Sequence, residues 1–175
     1  MPELAEVAFA SKAWKGGMGD VVSKVQTKEL SRVFRNTDPA KVKNGLRGAT
    51  LEGAETHGKK MLFQFSENRW LGLHLGMTGW LFTEDSEYLA GKHDALVLRQ
   101  NERSLVFRDP RQFGRVLYHR GKDPPTWWSD LPPEVTSDLF TLELVRTVLK
   151  RRARSPMKAV LLMQEFFPGI GNWMV

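Results

Sequence analysis

The chain has 175 residues, enough for one large or two small domains with a buried core. Its 26 basic and 20 acidic side chains give a net charge of +6, which favours a polyanionic partner without requiring one. The absence of cysteine excludes disulfides, thiol catalysis and cysteine-bound zinc within the chain, and without a signal segment or a ~20-residue apolar run we expect a cytoplasmic protein that does not enter a membrane.

The first 48 residues predict two helices and one strand. Apolar residues recur at helical spacing over residues 4–14, and Gly16-Gly17 ends this first helix. Residues 21–28 alternate loosely between apolar and polar, which is typical of a strand. Asp38-Pro39 is a favourable N-cap and first residue for a second helix, which ends at Gly48.

From residue 49 to residue 118 the pattern predicts β-strands throughout. The clearest are two hairpins and a final strand, at residues 61–65 with 70–75, 95–98 with 104–107, and 114–118. Many short strands at regular spacing indicate a β-sandwich or barrel.

The composition changes after this β region. Residues 121–133 contain four prolines and a pair of tryptophans, as a linker does. Beyond it we predict a helix capped by Thr136 or Ser137, a second helix opening at Ser155-Pro156, and a turn at Pro168–Asn172 into a third helix. The predicted organisation is a β-rich domain at residues 1–120, a linker at 121–135 and a helical domain at 136–175.

Pro2 can act as a nucleophile. The initiator methionine is usually removed before a small residue, and Pro2 then carries a secondary amine with a pKa of ~8. Such an amine condenses with an aldehyde or a sugar C1′ to form an iminium ion. Glu3 is adjacent for proton transfer, and Glu6 lies one helical turn further on. The competing interpretation is structural, because proline and acids are common in the first turn of a helix.

Four other motifs have both a functional and a structural interpretation. The Gly169–Asn172 turn can bind phosphate through free N–H groups, or it simply joins two helices. Lys59 can reach a phosphate, or it is solvated. Met77 lies on a glycine-flanked loop and can be a wedge between bases, or it is buried. Arg111 and Phe113 share one loop and can fill a gap in a duplex, or Phe113 is buried.

Together these motifs resemble the formamidopyrimidine-DNA glycosylase and endonuclease VIII family of base-excision repair enzymes. They follow the family's order over essentially the whole chain: Pro2-Glu3-Leu4 with Glu6, Gly58-Lys59, His74–Met77, Lys92-His93-Asp94, Asp109–Gly114, Pro156-Met157-Lys158 and Gly169–Asn172. The residues Leu4, Met77, Arg111 and Phe113 favour the formamidopyrimidine branch.

The resemblance implies an α+β fold, with an N-terminal β-sandwich flanked by two helices and followed by a helix–two-turn–helix domain. Two residues depart from the family's usual N-terminal motif, Ala5 and Ala8. Family members continue into further helices and a zinc finger or its zincless equivalent. We therefore expect an incomplete helical domain, no cofactor in this chain, and the family's zinc site beyond Val175.

The resemblance also implies a bifunctional glycosylase and AP lyase acting on oxidised purines such as 8-oxoguanine and formamidopyrimidines. The implied catalytic residues are Pro2, which attacks C1′ before β- and δ-elimination, Glu3, which transfers protons, and Lys59, which holds a phosphate. Glu6 has a supporting role. The implied DNA-binding residues are His74, Met77, His93, Arg111, Phe113, Lys158 and Asn172.

The expected partner is double-stranded DNA with oxidised bases or abasic sites, bound by a monomer in the nucleoid region of a bacterial cytoplasm. Two other functions remain open. One is a non-catalytic DNA-binding fragment that lacks the C-terminal clamp, and the other is a basic interaction domain unrelated to DNA. A covalent adduct with abasic-site DNA would separate the glycosylase and AP lyase from the non-catalytic DNA-binding fragment.

Overall fold

The computed structural model of the protein describes residues 2–175, which form a β-sandwich followed by a helical segment. In chain order the helices are α1 (Leu4–Lys12), α2 (Pro39–Leu46), α3 (Thr126–Ser129), α4 (Leu142–Arg151) and α5 (Met157–Leu161). The strands are β1 (Lys24–Thr27), β2 (Leu51–His57), β3 (Lys60–Phe65), β4 (Arg69–His74), β5 (Trp80–Asp85), β6 (Asp94–Arg99), β7 (Arg103–Arg108) and β8 (Arg115–Arg120). Within residues 2–175, no helix is both long and apolar enough to cross a bilayer.

The strands form two antiparallel four-stranded sheets. One sheet has the order β1-β6-β7-β5, and the other has the order β2-β3-β4-β8. Side chains alternate across each strand, so every second residue faces the other sheet. On β3 and β4 the core-facing residues are Met61, Phe63, Phe65, Leu71 and Leu73. The predicted β-sandwich is confirmed.

Two helices flank the sandwich, as predicted. Val7 of α1 is buried, and after the helix Trp14 packs on Phe63 with ring centroids 4.7 Å apart. Helix α2 begins where Asp38 accepts a hydrogen bond from the Ala40 N–H at 2.9 Å. Burial of one apolar face therefore holds each helix on the core.

The helical segment differs from the prediction at both ends. Helix α4 begins after Thr141, whose hydroxyl accepts a hydrogen bond from the Leu144 N–H at 3.3 Å, and not after Thr136 or Ser137. Ser137 instead accepts a hydrogen bond from the Leu139 N–H at 3.2 Å, which favours a separate turn. The predicted linker also contains the single turn α3.

The predicted third helix stays a prediction, because only residues 173–175 follow the turn at Pro168–Asn172. Beyond α5, residues 2–175 contain turns but no further helix. The N–H of Trp173 donates to the Glu3 carboxylate at 2.8 Å, so a contact with the N-terminal segment fixes this stretch.

Three contacts attach the helical segment to the sandwich near the N-terminus. The His57 ring nitrogen Nε2 lies 2.7 Å from the Pro132 carbonyl oxygen, and the Gly58 N–H donates to Glu134 at 2.7 Å. The Leu4 N–H donates to the Gly169 carbonyl at 3.2 Å. The turn that follows α5 therefore lies directly against the start of α1.

Candidate active site and nucleic-acid interface

The N-terminal segment lies at the edge of an open, mostly apolar cavity. Pro2 precedes α1 and lines this cavity of about 430 Å³ together with Phe9, Leu75 and Trp80. The Glu3 N–H donates to the Glu6 carboxylate at 2.8 Å, so Glu6 orients the backbone beside Pro2. The supporting role of Glu6 in catalysis stays a prediction.

The Glu3 carboxylate is buried under the turn that follows α5. Its Oε1 atom accepts the hydrogen bond from Trp173, and a Cβ atom at Gly171 would lie 2.2 Å from Oε1. Glycine at 171 is therefore required for this packing. Within residues 2–175, no protein group hydrogen-bonds the buried Oε2 atom. That oxygen can accept or deliver a proton.

Lys59 connects the sandwich to the same turn. Its side chain is buried, and Nζ donates to the Ile170 carbonyl at 2.6 Å. Burial lowers the pKa of the Lys59 ammonium, while the negative charge of Glu3 opposes this shift. Asn172 is exposed at the end of the turn. The structure thus brings together Pro2, Glu3, Lys59 and the Gly169–Asn172 turn, which the sequence prediction had selected from distant positions.

His74 is neutral at physiological pH. It ends β4, and its Nδ1 atom accepts a hydrogen bond from the Gly76 N–H at 3.0 Å. The ring proton of the neutral form must therefore lie on Nε2. Burial, followed by the charges of nearby cations, lowers the pKa of His74 to about 4; these cations are Arg115, Lys59, Lys60 and Arg35. His74 can donate one hydrogen bond without carrying a charge.

This pKa predicts a loss of stability in acid. An ordinary histidine, as in the unfolded chain, has a pKa of 6.5, so the unfolded state binds more protons than the folded state between pH 6.5 and about 4. As far as His74 is concerned, the free energy of unfolding is highest above pH 6.5 and declines as the pH falls towards 4. We expect the pH dependence of unfolding in this window, measured by urea denaturation, to be shallower in His74→Gln than in the wild type. Equal slopes would contradict the shifted pKa.

Two loops present the predicted intercalating side chains together. Met77 is 48% exposed and Phe113 is 42% exposed, so neither is a core residue. The Arg111 guanidinium lies 4.9 Å from the centroid of the Phe113 ring. The backbones of the loops touch, because a Cβ at Gly76 would lie 2.4 Å from the Gly114 nitrogen.

Asp109 joins these two loops and was missed as a functional residue in the sequence. It is buried, and its Oδ1 atom accepts a hydrogen bond from the Thr78 hydroxyl at 2.8 Å. Its Oδ2 atom accepts a hydrogen bond from the Gly114 N–H at 2.7 Å. The Asp-Pro dipeptide indicated a turn, but only the folded chain reveals that Asp109 binds Thr78 on the other loop.

The last two predicted DNA-binding residues, His93 and Lys158, are both exposed. His93 is exposed, and its carbonyl accepts a hydrogen bond from the Asp109 N–H at 3.0 Å, which places His93 beside the loop of Arg111. Lys158 is exposed on α5, and its Nζ donates to the Val175 carbonyl at 3.1 Å. Among residues 2–175, no hydrogen bond connects Lys158 to Glu3 or Lys59.

Three cations near His74 were also missed. Lys60 and Arg115 are the cross-strand partners of His74 on β3 and β8. Arg35 approaches from the loop before α2 and donates to the Gly114 carbonyl at 2.7 Å. The alternation of side chains along β3 and β8 could have placed Lys60 and Arg115 on the outer face of the sheet. The register that aligns them with His74 cannot be predicted from local sequence.

The described residues offer no set of zinc ligands, and the resemblance places the family's zinc site beyond Val175. The chain has no cysteine, and residues 2–175 contain no group of three or more histidine, aspartate or glutamate side chains arranged to hold a metal ion.

Comparison with known proteins identifies relatives of this chain. The family model "Formamidopyrimidine-DNA glycosylase N-terminal domain" matches residues 1–116. The formamidopyrimidine-DNA glycosylase of Roseiflexus sp. (strain RS-1) is 32% identical over 175 residues, and that of Wolbachia pipientis wMel is 27% identical over 179 residues. Each alignment covers 98% of this chain and 63% of the relative. The chain thus spans less than two thirds of the length of these relatives.

Solved structures share the fold. The Lactococcus lactis formamidopyrimidine-DNA glycosylase bound non-covalently to DNA containing an AP site has a TM-score of 0.87 and 25% identity, covering 97% of this chain and 65% of that one. A C248GH mutant of the same enzyme with THF-containing DNA has a TM-score of 0.88 and 26% identity, and the match covers 98% of this chain and 63% of that one. Because the family model matches more than half of the residues, the chain belongs to the formamidopyrimidine-DNA glycosylase family.

Proposed function

We propose that the chain carries the nucleophile and part of the DNA interface of a DNA glycosylase and AP lyase that acts on oxidised purines. The observation that carries this proposal is the buried Glu3 carboxylate beside Pro2. One of its oxygens is held by the Trp173 N–H, and the other has no protein partner within residues 2–175. The names of the relatives support formamidopyrimidines as substrates, and 8-oxoguanine follows from the family resemblance.

The proposed chemistry begins once Met1 has been removed. The Pro2 nitrogen forms a bond to C1′, and the bond from C1′ to the base breaks with its electron pair leaving on the base, which is then protonated. Pro2 loses its amine proton, and the C1′–O4′ bond breaks with its electron pair leaving on O4′, which is protonated, so the sugar opens to an iminium ion on Pro2. Removal of a C2′ proton then breaks the 3′ C–O bond and releases the 3′ phosphate, and removal of a C4′ proton breaks the 5′ C–O bond and releases the 5′ phosphate. Water hydrolyses the remaining iminium ion and frees Pro2. In this proposal the Oε2 atom of Glu3, which is buried and has no protein partner among residues 2–175, relays these protons.

The other residues of the site hold DNA in this proposal. The neutral His74 ring offers its Nε2–H to a phosphate, and Lys59 places a positive charge beside the Gly169–Asn172 turn. Met77, Arg111 and Phe113 project together from adjoining loops. Extruding a nucleotide costs a few kcal/mol, and side chains that occupy the vacated stack offset part of this cost. The DNA in the Lactococcus lactis complexes supports a damaged-DNA partner.

The proposal is tested by trapping the iminium ion. The chain without Met1 is incubated with DNA containing an abasic site, reduced with borohydride, digested and analysed by mass spectrometry. We expect one DNA-linked peptide, modified at the Pro2 nitrogen, and no adduct when Met1 is retained. An adduct on a lysine, or none on a folded chain with Pro2 exposed, would refute the assigned nucleophile.

A second candidate is DNA binding without catalysis. It is supported by the net charge of +6, which suits a polyanionic partner and requires no catalytic group. This candidate predicts that abasic-site DNA binds to the chain in a mobility-shift assay while borohydride yields no adduct.

A further inference from the structure

Gln112 lies between the two exposed side chains of the Asp109–Gly114 loop and has an unusual backbone conformation. Its φ is +56°, in the left-handed region that a residue with a Cβ atom rarely adopts. The other two non-glycine residues with positive φ among residues 2–175, Glu67 and Asn68, lie in the turn between β3 and β4. Because glycine at position 112 would relieve this strain, we expect glutamine to contribute through its side chain.

The Gln112 side chain attaches the loop to the segment that precedes α2. Its Oε1 atom accepts a hydrogen bond from the Arg32 N–H at 2.9 Å and another from the Ser31 hydroxyl at 3.4 Å. Ser31 is buried, and its hydroxyl oxygen also accepts a hydrogen bond from the Val33 N–H at 3.5 Å. One oxygen therefore ties the centre of the loop to a fixed segment that lies 80 residues earlier in the chain.

Both neighbours of Gln112 stay exposed while this contact is made. The Arg111 guanidinium lies 4.9 Å from the centroid of the Phe113 ring, which is 42% exposed. On one side of Gln112 the Arg111 N–H donates to the Thr78 hydroxyl at 3.3 Å, and on the other side Arg35 donates to the Phe113 carbonyl at 3.5 Å. The backbone is thus held on each side of Gln112, and Gln112 fixes the residue between these two points.

We propose that Gln112 is a positioning residue that holds Arg111 and Phe113 in the orientation in which they fill a vacated base stack. The inference rests on the proposed function, and it requires no contact between Gln112 and the abasic sugar. Side chains that occupy a vacated stack offset part of the cost of extruding a nucleotide, whereas an intact duplex has no vacant position to fill. Gln112 therefore contributes to the preference for abasic-site DNA over intact DNA, and not to DNA affinity in general.

The test compares two dissociation constants, one for an intact duplex and one for the same duplex with a reduced abasic site, by fluorescence anisotropy at one salt concentration. Gln112→Met keeps the length of the side chain and removes the acceptor oxygen, so we expect the ratio of intact to abasic dissociation constants to fall ~10-fold. Gln112→Glu keeps an acceptor oxygen, so its ratio should stay within about 3-fold of the wild type. The added negative charge should weaken binding to both duplexes alike.

Two further variants separate the hydrogen bonds from the backbone strain and from a general effect on stability. Gln112→Gly relieves the strain but has no acceptor, so it should lower the ratio as Gln112→Met does. Gln26→Met is the matched control, because Gln26 lies on β1 and its Oε1 atom accepts a hydrogen bond from Arg99 at 3.4 Å. This control should keep the wild-type ratio. An unchanged ratio in Gln112→Met or Gln112→Gly would overturn the proposal, and so would an equal loss of affinity for both duplexes, which a purely structural residue produces.

Failure of this inference can be distinguished from failure of the proposed function. If the wild type forms the borohydride adduct on Pro2 while Gln112→Met keeps the wild-type ratio, the proposed function stands and the role of Gln112 is lost. If the wild type binds both duplexes equally, the inference also fails, because the loop then makes no distinction between them. Neither result depends on strand cleavage, since the reduced abasic site has no aldehyde for Pro2 to attack.

Discussion

Replacement of Glu3 by glutamine is expected to slow cleavage of abasic-site DNA by ~100-fold or more, because general acid–base groups contribute that much to proton-transfer steps. Glutamine keeps an oxygen that can accept the Trp173 N–H, so the turn after α5 can remain in place. What it loses is the proton-accepting Oε2 atom, which is buried and without a protein partner among residues 2–175. The measurement is single-turnover cleavage followed on a denaturing gel.

Binding must be measured on the same variant. DNA affinity should change little in Glu3→Gln, because Glu3 is buried and carries no assigned phosphate contact. The matched control is Glu52→Gln, an exposed carboxylate on β2, which should cleave at the wild-type rate. A Glu3→Gln variant that cleaves within a few-fold of the wild type would remove Glu3 from the proton-transfer steps.

Replacement of Asp109 by alanine is expected to lower the free energy of unfolding by ~3 kcal/mol. The substitution leaves the Gly114 N–H and the Thr78 hydroxyl without their acceptor, and each unsatisfied buried group costs ~1–3 kcal/mol. The loop of Met77 would no longer be tied to the loop of Arg111 and Phe113, so affinity for abasic-site DNA should fall as well. Urea denaturation measures the first effect and fluorescence anisotropy of labelled DNA the second.

The graded variant is Asp109→Asn. Its side-chain oxygen can serve only one of the two donors, so we expect a loss of stability between those of the wild type and Asp109→Ala. An alanine variant within ~1 kcal/mol of the wild type would show that Asp109 does not hold the loops together.

Much of the site was predictable from local sequence. Pro2 and its two acids, the glycine-flanked Met77 and the loop of Arg111 and Phe113 were all recognisable from residue type and spacing. The structure places the two loops in contact and keeps their side chains exposed. The roles of these residues in DNA binding and catalysis stay predictions.

The fold was likewise predictable only in part from local sequence. The sandwich and its two flanking helices follow from apolar periodicity and from the Asp38 cap, because these signals lie within each element. The predicted start of α4 was wrong, because other contacts decide there. Thr141 caps α4, whereas Thr136 or Ser137 was predicted, and Glu3 binds the N–H of Trp173 from the far end of the chain.

The sequence by itself therefore determined the β-sandwich with its two flanking helices, the order of the motifs and the identity of the nucleophile candidate. Only the tertiary structure decided that Lys60, His74 and Arg115 form one row, and that the turn after α5 buries Glu3. The physical reason is that periodicity reports which face of an element is apolar, whereas strand register and the docking of distant turns depend on partners that local sequence does not specify.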